Sequence, residues 1–335
     1  MNADWSKLEV PGLTIGKHGE VEYREVRVAS PGKDEVLIRT EFSGVSVGTE
    51  MAGAYGRNLL WGEPPFTPGY QGVGRIVAFG EMSTSHNFKV GDLVAYFTGK
   101  GTHRSLTIAS IARTHRVNES PLSKYVGLYV QPCVAANALN KAKVKSGDQV
   151  LIVGQGLIGQ ATAIFSKMRG AHTVTTDVSP QRLKISRNVC AHEVFDTSSR
   201  PCSEIVMERY PNGFDVVVES TGILSLVEEA LKCVRFEGTV VFEGHYAGEI
   251  KFEFNLAHRK QIDAVFPFFI GEPKMREAVI DMITEGQFPM KDLVSHDISW
   301  RDAAMTYSKL FGPERDSLNG ILIDWRDSLP AELGQ

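Results

Sequence analysis

Cysteine is scarce in this chain of 335 residues. Only Cys133, Cys190, Cys202 and Cys233 occur, and no two stand in C-x-x-C spacing. No structural zinc site is therefore written locally, and the density is too low for a disulfide framework. The four are expected to be buried thiols. Excess charge of one sign is lacking as well. Lys plus Arg number 36 and Asp plus Glu 40, a formal net charge of −4. With no basic block, nucleic acid is not an expected partner. Long hydrophobic runs are missing too. The longest apolar-rich stretch, 150–165, is broken by three glycines and is too short to span a bilayer. The first thirty residues have no apolar signal-peptide core. A cytoplasmic protein with no membrane partner is the expectation.

What is present is ordinary for a soluble globular chain, 42% hydrophobic and 23% charged. The length suits two domains. Up to about residue 115 the texture is β: EVLIRTEFSG, GVGRIVAFG and DLVAYFTG are short, apolar and bounded by Gly, Pro and Asp. The Gly/Pro-rich connection 53–74 carries Tyr55, Trp61, Phe66 and Tyr70. Connections of that length often carry binding. After Asn118 a helix-rich lead-in precedes alternating strands and helices. Strands are predicted at 149–153, 173–176, 214–219, 238–243 and 262–268, and helices at 158–169, 180–190 and 224–234. Such alternation implies an α/β unit with a doubly wound parallel sheet. A helix at 274–285 and an apolar strand at 320–325 follow. Domain boundaries are placed at 1–118, 119–270 and 271–335, the outer pieces forming one β-rich domain.

The segment QVLIVGQGLIGQATAIF holds Gly154-Gln155-Gly156-Leu157-Ile158-Gly159, after an apolar strand and at the start of a helix. Gly154 permits the tight turn, Gly156 admits a pyrophosphate to the backbone, and Gly159 lets helix and sheet pack closely. Free N–H groups and the positive dipole end at the helix start, with Leu157 and Ile158 in its first turn, suit phosphate. Asp177 ends the next strand, 23 positions after Gly154. An acid there can accept a bond from a ribose 2′-hydroxyl and repel a 2′-phosphate, favouring NAD over NADP. A carboxylate capping the helix after Ser179 is the other reading of Asp177.

Beyond this loop, GVSVGTE (44–50), PGYQGVGRIVAFG (68–80), KVGDLVAY (89–96), DVVVESTG (215–222) and GTVVFEG (238–244) resemble the medium-chain dehydrogenase/reductase family. The likeness runs from Gly32 to Trp325. It implies a GroES-like β domain, split in sequence, with an inserted Rossmann domain, and an NAD-dependent oxidoreductase. Ser220, Thr221, Gly244 and His245 join the implied cofactor set. Zinc-dependent members carry a Cys where this chain has Val47, beside Ser46. Their Gly-His-Glu is Gly69-Tyr70-Gln71 here, and their Glu-Pro is Gln131-Pro132. A four-Cys loop is absent from 80–110. Val cannot ligate zinc, and Tyr and Gln are poor replacements for His and carboxylate, so no catalytic zinc is expected. S-G-[IV]-S-x-G-T-E with P-G-Y-x-x-x-G and a terminal I-L-x-D-W resembles the subgroup containing bacteriochlorophyllide hydroxyethyl dehydrogenase. The tetrapyrrole substrate is not carried over.

Without a metal, side chains must manage the proton that accompanies hydride transfer. The resemblance puts Thr49 at a hydroxyl-relay position and Tyr70 where a ligand His points into the site. Ser46, Glu50 and Gln131 complete the candidate set, and His245 could face the nicotinamide. Each residue has a plainer reading. Tyr70 could pack on Trp61 and Phe66, and Thr49 could cap a helix starting at Glu50. Glu50 could pair with an Arg, and His245 could be an ordinary loop histidine. Phe266–Phe269 are read as core or subunit interface. The resemblance also implies a homodimer through the 262–268 strand. Three functions fit: a zinc-free dehydrogenase of a secondary alcohol (a sugar, cyclitol or biosynthetic intermediate), a zinc-free enone or quinone reductase, and a non-catalytic dinucleotide binder.

Overall fold

The computed structural model describes residues 5–17, 19–56, 60–83 and 86–329. The chain forms two units, Met1–Val130 with Arg276–Gln335, and Gln131–Met275. The joints expected from sequence are 118/119 and 270/271.

In chain order the first unit contains β1 (Glu9–Ile15), β2 (Val21–Arg27), β3 (Glu35–Val45), α1 (Val47–Ala54), β4 (Gln71–Phe79), β5 (Leu93–Phe97), β6 (Leu106–Ser110) and β7 (Thr114–Arg116). At 11 residues β3 is a long strand, buried along most of its length although Arg39, Thr40 and Glu41 interrupt its apolar residues. It is the spine of a seven-stranded sheet. The hairpin of β1 and β2 was not singled out from sequence, because the half-exposed run VEYREVR is charged on both faces, at Glu22, Arg24, Glu25 and Arg27.

α2 (Val130–Lys141) leads into the second unit. It continues with β8 (Gln149–Val153), α3 (Leu157–Met168), β9 (His172–Asp177), α4 (Pro180–Ile185), β10 (Glu193–Asp196), α5 (Cys202–Arg209), β11 (Phe214–Glu219), α6 (Leu226–Cys233), β12 (Val234–Phe242), α7 (Phe254–His258) and β13 (Asp263–Val265). The parallel sheet runs β10-β9-β8-β11-β12-β13. In order of appearance that is 3-2-1-4-5-6, the doubly wound dinucleotide-binding order. Its ligand crevice lies at the switch point, here between β8 and β11. Val153, Val174, Phe214, Val217, Val227 and Leu231 are among its core residues.

Two expectations are corrected in this unit. The helix expected over 180–190 is α-helical only to Ile185, and a π turn covers Ser186–Cys190. The last strand stops at Val265 instead of running to Phe268, since Pro267 has no N–H to give the ladder. Phe266, Phe268 and Phe269 are exposed, so they are not core. The four cysteines are buried and free.

Returning to the first unit, the chain adds α8 (Pro273–Thr284), α9 (Met290–Leu293), β14 (His296–Ser299), α10 (Trp300–Ser308) and β15 (Ile321–Asp324). β15 pairs antiparallel with β3, Ile321 opposite Val45. Leu13, Ile15, Val45, Met51, Tyr307, Ile323 and Trp325 share one core with it. No helix among the described residues is long and apolar enough to cross a membrane.

Candidate active site

The glycine loop after β8 has the shape its sequence implies. Gly154 sits at φ +92°, and a Cβ there would meet Thr221 Cγ2 at 2.5 Å. A Cβ on Gly159 would strike the Gly154 carbonyl at 2.0 Å, so helix and loop touch backbone to backbone. Gly156 is the opposite case, with nothing within 4 Å of its would-be Cβ. It caps α3 without a side-chain bond, leaving the first N–H groups of the helix to a ligand. This cradle fits a pyrophosphate. Leu157 and Ile158 are half-buried in the first turn.

Asp177 is engaged with the protein's own backbone. Oδ2 accepts from the Gln155 N–H at 2.6 Å, and Oδ1 from the Val178 and Ser179 N–H groups at 2.8 Å each. The carboxylate thus ties the glycine loop to the end of β9, and Ser179, not Asp177, caps α4. The Ser220 hydroxyl donates to the Val153 or Gly154 carbonyl, at 2.9 and 3.0 Å. The Thr221 hydroxyl is turned to Glu219. Both hold the protein's own loop. A Cβ on Gly244 would collide with Gly222 N at 2.2 Å, so that glycine lets two strand-end loops pass. His245 is exposed, with its backbone against Gly222.

Sequence reasoning missed two buried acids at these strand ends. Glu219 accepts from the Thr221 and Gly222 N–H groups at 2.9 and 3.1 Å, and from the Thr221 and Tyr246 hydroxyls. Glu243, just after β12, has the Thr162 hydroxyl at 2.9 Å from each of its oxygens. Burial pushes the Glu243 carboxyl up to about 8; the Thr162 bond opposes this and the Glu219 carboxylate adds to it. The signal was in the sequence: each acid closes a short apolar run, VVVE and VVFE.

In the first unit, GVSVGTE turns from β3 into α1. Ser46 is the N-cap residue; its N–H donates to Glu50 Oε1 at 2.7 Å, and its hydroxyl to Thr49 Oγ1 at 3.3 Å. Thr49 lies inside the first turn and is not the cap. The hydroxyls of Ser46 and Thr49 both hydrogen-bond Tyr70, which precedes β4. Burial pushes the Tyr70 phenol up to about 12; the bond from Ser46 opposes it and the charge of Glu50 adds to it. The rings that stack are Trp61 and Phe66, with centroids 5.5 Å apart.

Glu50 is fully buried, and its partners do not include an arginine. Oε2 lies 3.0 Å from His103 Nε2 and accepts from the Tyr307 hydroxyl. His103 Nδ1 lies 2.7 Å from Ser43 Oγ, which also accepts from Trp325 Nε1 at 2.8 Å. Nothing local in the sequence joins residues 43, 50, 103, 307 and 325; the pairing of β15 with β3 brings Trp325 to Ser43, a loop supplies His103 and α10 supplies Tyr307.

Of the positions that correspond to zinc ligands, Val47 carries no donor. Gln71 is occupied with backbone, accepting from Val130 N–H at 3.0 Å and donating to the Gly44 carbonyl at 3.5 Å. Gln131 is buried in α2, in the second unit. Among the described residues no group of three or more His, Cys, Asp and Glu could hold a metal ion.

Comparison with known proteins agrees with this architecture. Residues 32–138 match the alcohol dehydrogenase GroES-like domain, and residues 158–285 match the family described as zinc-binding dehydrogenase. Prostaglandin reductase-3 of Mus musculus is 28% identical over 72% of this chain, which spans 64% of that protein. L-galactonate-5-dehydrogenase of Escherichia coli is 23% identical over 90% of this chain and 96% of its own length. The crystal structure of 2R,3R-butanediol dehydrogenase from Bacillus subtilis superposes with a TM-score of 0.80 at 20% identity, covering 94% of this chain and 99% of that one. Two further structures of the same fold were solved with a nicotinamide dinucleotide, one with NADP and one with NADH.

Proposed function

Since the chain belongs to the medium-chain dehydrogenase/reductase family of oxidoreductases, we propose that it interconverts a secondary alcohol and a ketone with NAD(H), without catalytic zinc. The substrate would be a polyol or a related biosynthetic alcohol. One observation carries the proposal: Tyr70, Ser46 and Thr49 form a bonded hydroxyl cluster where zinc-dependent relatives place metal and relay. The family name that mentions zinc matches 158–285, while Val47, Tyr70, Gln71 and Gln131 all lie within 32–138.

The dinucleotide supplies the hydride acceptor, or donor in reverse. The protein's own task is the proton. A phenol pushed up to about 12 is neutral at ordinary pH and suited to donate to a ketone oxygen. Ser46 and Thr49 orient it, and Glu50, through the Ser46 N–H, fixes the turn that carries them.

Assay with NAD(H) and NADP(H) on secondary polyols, ketoses and enones, before and after chelation, tests the proposal. Turnover of a polyol–ketone pair that survives chelation, in protein without stoichiometric zinc by elemental analysis, is expected. Activity on enones alone, or activity lost with about one zinc per chain, would refute it.

Asp177 bears on cofactor choice. Calorimetry should find NADH bound more tightly than NADPH. Asp177→Ser should narrow that difference and also weaken NADH, because three backbone N–H groups lose their acceptor. Tighter NADPH binding by the unaltered protein would count against this.

The edge strand β13 and the exposed Phe266 and Phe268 beside it argue for a homodimer, since an open apolar sheet edge invites pairing. Light scattering at micromolar concentration is expected to give twice the chain mass, and a monomer mass would remove the proposal.

A further inference from the structure

The second unit has a cavity of about 260 Å³ lined by Lys167, Gly170, Ala171, His172 and His192. It lies at the starts of β9 and β10, since His172 opens β9 and His192 immediately precedes β10. The glycine loop is at the opposite end of the sheet, after β8. α3 spans the two places. Its first turn follows the glycine loop, and its last turn carries Lys167. At 1.5 Å per residue, its 12 residues set them about 18 Å apart.

Both imidazole rings are anchored on one edge by the protein. The His192 N–H donates to the Thr173 carbonyl at 2.9 Å, and the Thr173 N–H donates to His192 Nδ1 at 3.0 Å. This clamp makes Nδ1 an acceptor, so the ring carries its proton on Nε2. Burial, then the charges of His172 and Lys167, hold the imidazole below its ordinary pKa and keep it neutral near pH 7. His172 is tied through Nε2, which lies 3.0 Å from the Tyr210 hydroxyl. That hydroxyl donates to Glu193 Oε1 at 2.8 Å, so Nε2 is the donor and Nδ1 is left to accept a further proton. The two rings stack, with centroids 5.0 Å apart and planes 19° from parallel.

Lys167 and His192 are exposed and His172 is half-buried, so all three reach solvent beside the cavity. Among the described residues the Lys167 ammonium has no hydrogen bond or ion pair. The nearby acids are engaged elsewhere. Glu193 Oε2 is held by Arg209 Nε at 2.6 Å, and Asp148 accepts from the Lys145 N–H at 2.9 Å. Cys190, which ends the π turn before His192, is a neutral thiol pushed up to about 12 by burial. One ammonium and two imidazoles thus line the cavity, and no carboxylate lines it.

We propose that this cavity is an accessory oxyanion site for the phosphoryl group of a small molecule, separate from the place of the dinucleotide. The Lys167 ammonium meets the charge, and His192 Nε2–H gives a directed bond to one oxygen. A second proton on His172 adds Nδ1–H for another oxygen, and a bound dianion favours that proton. Donors carried by α3, β9 and the turn before β10 suit a tetrahedral group, whose oxygens point apart, better than a planar carboxylate. The site does not depend on which reaction the chain catalyses.

Calorimetry on the full chain, with and without saturating NADH, tests it. Inorganic phosphate and glycerol 3-phosphate should bind at one site per chain in either condition, where acetate and neutral glycerol do not. Lys167→Met and His192→Asn should each weaken phosphate binding about tenfold or more. Lys167 is exposed, and Asn keeps an acceptor for the Thr173 N–H, so both variants should melt close to the unaltered protein. Sulfate, a dianion throughout the neutral range, serves for a pH series. Its affinity should rise as pH falls from about 8 to about 6, and the rise should vanish in His172→Gln, which keeps a donor for Tyr210 and lacks Nδ1. No phosphate binding by the unaltered protein overturns the proposal. So does binding that NADH displaces, since that anion sits on the glycine loop, and so does binding undiminished in both Lys167→Met and His192→Asn. Acetate bound as tightly as phosphate would overturn the phosphoryl assignment, and a flat pH response would overturn the part given to His172.

Discussion

Tyr70→Phe is expected to lower turnover by ~10²–10⁴-fold, the usual worth of a positioned acid or base, while cofactor affinity stays within experimental error. The substitution keeps the ring and deletes the proton. The phenol is pushed up to about 12 by burial and by the Glu50 charge. The unaltered enzyme should therefore reduce ketone at a rate flat across neutral pH. Alcohol oxidation, which needs the phenolate or a hydroxyl relay to accept a proton, should climb steadily toward alkaline pH. In Tyr70→Phe that climb should disappear. Thr49→Val keeps shape and removes one donor, so it should cost about tenfold or more. Because both act on one proton, the double variant should lose less than the product of the single losses. Stopped-flow measurement of cofactor absorbance over a pH series decides the matter. Full turnover in Tyr70→Phe would place the proton elsewhere, with His245 the next residue to test.

Glu243→Gln should stabilise the protein at alkaline pH. The folded carboxyl titrates at about 8, against an ordinary value of 4.5. The protonated form is favoured inside, so its contribution is fully present below about pH 4.5 and is lost as pH rises to about 8. At ~1.4 kcal/mol for each pH unit between the two values, the loss is at most about 5 kcal/mol. The amide cannot ionise and keeps an acceptor for the Thr162 hydroxyl. Melting temperature measured from pH 5 to 9 should fall for the unaltered protein and stay nearly level for Glu243→Gln, the two separating by several degrees at pH 9. Parallel curves would mean that Glu243 does not titrate in this window.

The α/β unit was legible because its signals are local. An apolar run followed by Gly154, Gly156 and Gly159 fixes strand, turn and helix start within a dozen residues, and Asp177 follows at the end of the next strand. Ser46, Thr49 and Tyr70 were reachable through the resemblance, and the structure brings their hydroxyls together. Glu50 was singled out, yet its partners were not. His103 and Tyr307 stand 53 and 257 positions away from it in the chain. No periodicity carries a pairing of that range; it follows from the packing of α1, α10 and the loop that holds His103. Strand β10 and helix α5 went unseen for a different reason. EVFD is four residues long, and CSEIVMER has no clear apolar face. Gln131, expected in the catalytic set, is held in the unit that carries the cofactor loop.

The discontinuity of the first unit has a consequence for biosynthesis. Residues 42–45 of β3 take their partners from residues 321–324, while the second unit is one uninterrupted stretch, 131–275. On the ribosome the unit that carries the glycine loop can close before the other unit is complete. Until β15 emerges, that edge of β3 stands open and the Trp325 indole that bonds Ser43 does not yet exist. A chain broken off after residue 275 would therefore keep every strand of its parallel sheet. It would lose Tyr307, a partner of Glu50, and a late stop in the reading frame would leave the glycine-loop unit whole and the other unit unfinished.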